Sequence, residues 1–68
     1  MLDPSDLAPA DEALLSLLRE GRITAPYAAA ETGYNLQYVR DRLTRLVEHG
    51  NVEKVHEGLY ELVEDPRE

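Results

Sequence analysis

Between Thr24 and Val55 the chain reads TAPYAAAETGYNLQYVRDRLTRLVEHGNVEKV. That order predicts a short helix, a glycine turn, a longer helix with one apolar stripe, and a strand. Pro26 suits the first turn of a helix, where no backbone N–H is needed, so a second helix is expected from there through Glu31. Its Ala28-Ala29-Ala30 run lets another helix approach closely. Gly33 supplies the turn, and Asn35 is a good N-cap for a third helix. In that helix Leu36, Val39, Leu43, Leu46 and Val47 recur at spacings of 3, 4, 3 and 1. These lie on one helical face, with Leu36 at its margin. His49 and Gly50 close the helix, imidazole near the negative pole and glycine at the stop.

The flanks complete the pattern. Asp3-Pro4 resembles a cap followed by proline, and Pro9 interrupts any continuation. A first helix is expected from Pro9 or Ala10 to Glu20. Asp11 and Glu12 suit its positive end, Arg19 its last turn, and Gly21 its stop. Leu14, Leu15, Leu17 and Leu18 give it an apolar side too broad for one narrow stripe. Arg22-Ile23-Thr24 reads as a short edge strand. Val52 to Val55 and Leu59 to Leu62 are β-prone runs around His56-Glu57-Gly58, a tight hairpin, with Tyr60 and Leu62 on its buried face. Glu64 to Glu68 reads as a frayed, flexible acidic tail. The expected fold is therefore α+β and mainly α, three helices with a short antiparallel hairpin. It forms one domain over 1–68 with its core at about 9–63.

Sixty-eight residues leave no room for a second core. With no Cys, Trp or Phe, the core must come from Leu, Val, Ala, Ile23 and some of the four Tyr. Neither disulfides nor a thiolate metal site can contribute. No apolar run approaches the roughly 20 residues needed to cross a bilayer, and MLDPSD lacks a signal pattern. The expectation is a soluble cytoplasmic protein with no membrane contact.

The net charge of −7 is unevenly spread. Residues 1–20 sum to −4, residues 21–46 to +2, and residues 47–68 to −5. The positive middle comes from Arg22, Arg40, Arg42 and Arg45 against Glu31 and Asp41. A basic island on an acidic chain makes a phosphate backbone the first candidate partner. Six Arg but one Lys beside fourteen acids also looks like the surface of a halophilic protein, whose carboxylates stay hydrated when salt screens other charges.

Together these residues resemble the winged helix-turn-helix family of prokaryotic transcription regulators, over about Asp11 to Leu62. The matching parts are the small-residue helix at Ala28 to Ala30, the turn Gly33-Tyr34-Asn35, the inner face Val39-Leu43-Leu46, Gly50, and the strand at Val52. GYNLQYVRDRLTRLVEHG followed by GLYELVEDP is most similar to small regulator-like proteins of halophilic archaea. The resemblance implies a third helix in the major groove of double-stranded DNA, its N-terminal half facing the bases. By position the outward residues are Leu36, Gln37, Tyr38, Arg40 and Asp41, with Arg42 close behind. Gln37 can pair with adenine and Arg40 with guanine, each giving about 1–3 kcal/mol of discrimination. Tyr38 can bond a phosphate or lie against a thymine methyl. Arg45, Lys54 and His56 are expected at the backbone from the helix end and wing, Tyr27 and Thr24 from the second helix and its approach.

Each residue has a plainer reading. Arg42 and Arg45 can pair with Glu48 or Asp41, and Gln37 can be a simple surface residue. Tyr34 fits the core, Tyr38 can lie across its own helix, His49 suits a helix end and His56 an exposed turn. Asp41 would face phosphates, and Glu53, Glu57 and Glu61 surround the only Lys. Attraction to phosphate is then modest, which favours a homodimer or reliance on base contacts. Such a dimer would use the first helix, the hairpin edge or the N-terminal segment, with Leu2 and Leu7 as candidates to cover an apolar surface. Catalysis is not expected: there is no Cys nucleophile, no His near Ser5 or Ser16, and no phosphate-binding glycine loop. His49 and His56 have no matching ligand pair, so no metal or cofactor is expected. The leading function is sequence-specific DNA binding by a repressor-like regulator. The alternatives are an acidic protein-interaction module in a transcription complex and an acidic DNA mimic.

Overall fold

The first helix, α1 (Pro9–Glu20), starts where Pro9 ends the preceding short 3-10 turn Pro4–Asp6, itself capped by Asp3. Asp11, in the third position of α1, accepts a hydrogen bond from the Ala8 N–H at 2.9 Å, which satisfies a donor that the helix itself leaves open. The computed structural model describes residues 3–68, so the part expected of Leu2 lies outside them. The strand β1 (Ile23–Thr24) leads directly into α2 (Ala25–Thr32), one residue earlier than Pro26 suggests, with the Thr24 hydroxyl accepting from the Tyr27 N–H. Gly33 stops α2 at φ +79°, its N–H donating to the Ala29 carbonyl. A side chain there would meet nothing within 4 Å, so the left-handed backbone alone favours glycine.

Asn35 caps α3 (Leu36–Glu48), its carboxamide oxygen accepting from the Gln37 and Tyr38 N–H groups. The chain then forms β2 (Val52–His56) and β3 (Leu59–Leu62), joined by Glu57-Gly58 with Gly58 at φ +76°. All strand pairs are antiparallel in the order β1-β3-β2, so the hairpin becomes a three-stranded sheet with β3 in the middle. The arrangement is the α+β winged helix expected from the sequence.

The apolar periodicities explain the core. Leu14, Leu15 and Leu18 of α1 and Val39, Leu43 and Leu46 of α3 are buried with Ile23, Ala25, Ala28, Val52 and Tyr60. Leu7, Leu17, Tyr34, Leu36, Val47 and Leu62 pack against its edge. Each fully buried Leu contributes about 1.5–3 kcal/mol relative to exposure. Tyr34 takes the place expected of an apolar turn residue, and its ring tilts against Tyr38 at 5.7 Å between centroids. No helix among the described residues is long and apolar enough to cross a membrane.

The C-terminal segment differs from the frayed tail read from its composition. Asp65 is only 4% exposed. Its carboxylate accepts from Arg67 at 2.8 Å and from Arg19 at 3.2 Å. Arg67 also reaches α1, donating to the Glu12 carbonyl and the Ser16 hydroxyl. The buried Asn51 joins in, its side-chain amide donating to the Glu64 carbonyl while its own carbonyl accepts from Val63 and Glu64. Hydrogen bonds to Arg67 hold the Asp65 carboxyl at about 2, against some upward push from burial. An acidic run counts as solvated only when no distant cation answers it, and Arg19 lies 46 residues away.

Candidate nucleic-acid interface

Helix α3 turns about 100° per residue, so its buried stripe fixes where every other side chain points. With Val39, Leu43 and Leu46 inward, Gln37, Asp41, Thr44 and Glu48 form the outward ridge. Arg40 lies on the flank toward the wing, Arg42 on the flank toward α1. Sequence separation of two thus divides the basic island.

Arg42 is committed to the protein. Its Nε donates to Asp11 Oδ1 at 2.7 Å, and its Nη2 pairs with Asp11 Oδ2. Asp11 is fully buried, whereas the Arg42 side chain keeps 20% of its exposure. Burial alone pushes the Asp11 carboxyl up, but the Arg42 guanidinium, the Ala8 N–H and nearby Arg45 together hold it below its ordinary value. The same bond raises Arg42. The sequence reading gave Arg42 to DNA, or to Glu48 or Asp41. Its partner is instead a carboxylate 31 residues earlier, which closes α1 onto α3. The only hint was Asp11 itself, whose fit to a helix start concealed its second task.

Arg40 faces the other way, into a cleft of about 450 Å³. Ala25 and Pro26 of α2 form one wall, Gln37, Arg40, Asp41 and Thr44 of α3 the second, and Lys54, Glu57 and Gly58 of the wing the third. Sheet register explains the position of Lys54. Tyr60 lies opposite Ile23 on one side and opposite Lys54 on the other, so the three share one sheet face. Ile23 and Tyr60 are buried there, while Lys54 on the edge strand extends past the core and is exposed. A register irregularity between Lys54 and His56 then lets His56 pair with Leu59. His56 is exposed and does not line the cleft.

Among the ten residues expected at DNA, the cleft gathers Gln37, Arg40, Asp41 and Lys54. Thr24 and Tyr27 sit just outside it at the start of α2, Thr24 as the cap and Tyr27 half exposed. Tyr38, at 41% exposure, lies on the Arg42 flank against Tyr34, and Arg45 is exposed. Thr44, Pro26 and Glu57 also line the cleft but were not expected at DNA, Pro26 being read as a helix start and Glu57 as an acid beside Lys54. Thr44 could have been, since it stands seven residues from Gln37 on the same ridge. Among the described residues Arg19, Arg22, Arg42 and Arg67 form ion pairs, whereas Arg40, Arg45 and Lys54 form none. On the ridge, Gln37 Nε2 donates to Asp41 Oδ1 at 3.0 Å. No group of three or more His, Cys, Asp or Glu side chains among the described residues could hold a metal ion.

No protein-family model, curated protein or solved structure matches the chain.

Proposed function

We propose that this chain is a sequence-specific double-stranded DNA-binding regulator, acting in the cytoplasm as a repressor that occupies promoter DNA through α3. The observation that carries the reading is the convergence of Arg40 and Lys54, from helix and wing, on one cleft without ion-pair partners. Of the other five arginines Arg19, Arg22, Arg42 and Arg67 are paired and only Arg45 is not, so Arg40 and Lys54 stand out as available to phosphate or to base edges. Gln37 and Thr44 add neutral hydrogen-bonding groups beside them. The Thr24 hydroxyl, though it accepts from Tyr27, keeps its own hydrogen for a phosphate.

Three unpaired cations make the electrostatic part small. The slope of log affinity against log salt is expected near −3 per monomer. Base contacts, or a homodimer that doubles the cations across a two-fold operator, supply the rest. Fluorescence anisotropy against a pool of short duplexes tests the reading. Arg40→Ala and Gln37→Ala each abolish binding while circular dichroism stays that of the parent. Parental binding by both variants contradicts it.

The acids on the same face favour a second reading. Asp41 and Glu48 lie on the ridge, Glu57 lines the cleft, and Arg42 is already neutralised. An acidic module docking on a basic protein of a transcription complex would bind no duplex. It would lose its partner on charge reversal at Glu12, Glu57 or Glu61, and binding to duplex alone would exclude it.

A further inference from the structure

By charge alone, Asp41 is the residue of α3 least suited to a DNA-binding surface. It lies on the outward ridge of α3, exposed, beside Arg40 and bonded to Gln37. An ionised carboxylate only accepts hydrogen bonds, so it is repelled by phosphates and by the O6 and N7 acceptors of guanine. The major groove offers it two donors, the cytosine N4 amino group and the adenine N6 amino group. Adenine places its N7 acceptor beside that donor, which pushes a second carboxylate oxygen away. Cytosine N4 has an acceptor on one side only, the O6 of its paired guanine, and a C5–H on the other, whereas adenine N6 lies between its own N7 and the thymine O4. The carboxylate therefore matches cytosine best.

The bond to Gln37 makes this match specific. It holds Asp41 Oδ1 at 3.0 Å from Gln37 Nε2 and leaves Oδ2 directed to no other protein group among the described residues. Gln37 keeps one N–H and its carbonyl oxygen, the pair needed to bridge adenine N6 and N7. The two side chains, four residues apart on one ridge, brace each other in a position to read neighbouring base pairs.

We propose that Asp41 is a specificity-determining residue that selects a cytosine in the operator by accepting from its N4 amino group, and that its charge rejects DNA lacking that cytosine. The proposal rests on the DNA-binding reading above. It assigns the acid a positive task at the position where composition alone suggests a defect. In an acidic protein with few free cations, rejecting wrong sequences by one misplaced charge is an effective route to discrimination.

The test is selection from a randomised duplex pool with the parent, Asp41→Asn and Asp41→Ala, followed by anisotropy on the selected sequence and its single-base variants. The parent should select a cytosine at one position with about tenfold or greater loss for any other base there. Asp41→Asn should shift that preference toward adenine, and Asp41→Ala should erase it while binding to unrelated duplexes rises. An Asp41→Ala variant that keeps the parent's base preference and gains affinity equally for all DNA overturns the assignment but leaves DNA binding standing. Binding of no duplex by any of the three proteins removes the DNA-binding reading, and the assignment with it.

Discussion

Arg40 and Arg42 stand two residues apart on one helix, yet they belong to different halves of the molecule. Arg42 turns toward α1 and closes on a fully buried carboxylate, and the C-terminal Asp65 with Arg19 and Arg67 clasps the same helix. Arg40 turns toward the wing and finds Lys54, another cation without a partner, across a cleft. Charge on the α1 side, Arg45 apart, is committed internally and holds the fold. Charge on the wing side is left available. The difference shows that the basic island of the sequence is two features, separated by roughly half a turn of helix.

The largest expected effect breaks the α1 side. Arg42→Ala leaves Asp11 buried and unpaired, at a cost of about 3–5 kcal/mol. In a chain this small such a loss is a large share of the total stability, and urea denaturation should show it as a lower midpoint. Arg40→Ala should leave the unfolding free energy within about 0.5 kcal/mol of the parent and the midpoint nearly unmoved. If the two substitutions cost the same, the two arginines are not functionally distinct.

Acid should expose the same contrast at somewhat smaller scale. The carboxyls of Asp11 and Asp65 both titrate lower in the folded protein than their ordinary value of 3.8, Asp65 at about 2. The unfolded chain therefore binds more protons than the folded one in this range. Their stabilisation is complete above about pH 5 and fades as pH falls through 3.8 toward 2. The thermal midpoint should be level above that window and drop within it, and Asp65→Asn should make the drop shallower. An unchanged acid profile in that variant would separate Asp65 from the effect.

A smaller effect concerns the C-terminal clasp. Arg67→Ala removes hydrogen bonds to Asp65, to the Glu12 carbonyl and to Ser16, and should cost about 1–2 kcal/mol. The smallest expected effect is that of salt on the buried pair. Raising KCl should barely change the stability difference between parent and Arg42→Ala, because Asp11 is sealed from solvent. The same salt should weaken duplex binding through Arg40 and Lys54.

The helices and strands were legible because their signals are local. Pro9, Gly33, Asn35 and Gly58 each mark a boundary by backbone chemistry, Pro26 marks the start of α2 to within one residue, and Val39, Leu43 and Leu46 name the inner face of α3. The partners of the charged residues were not legible. Asp11 and Arg42 are brought together only when α1 packs across α3, and Asp65 meets Arg19 only when the chain returns from β3. Composition counts a carboxylate as solvated wherever it lies, so both buried acids were missed. The cleft was half legible. Gln37 and Arg40 follow from helix position, but Lys54 reaches them only because the register sets it in a row with Tyr60 and Ile23.

We propose that the wing side of α3, and not its α1 side, meets DNA. An amide NMR titration with a pool of short duplexes tests it most directly, at high KCl and again at the lowest salt where the fold survives. Shifts are expected to concentrate at Gln37, Arg40, Asp41 and Thr44, at Thr24 to Tyr27, and around Lys54 to Gly58, with Asp11 and Asp65 to Arg67 unmoved. Shifts centred on α1 and the C-terminal segment, or none at either salt, would contradict it.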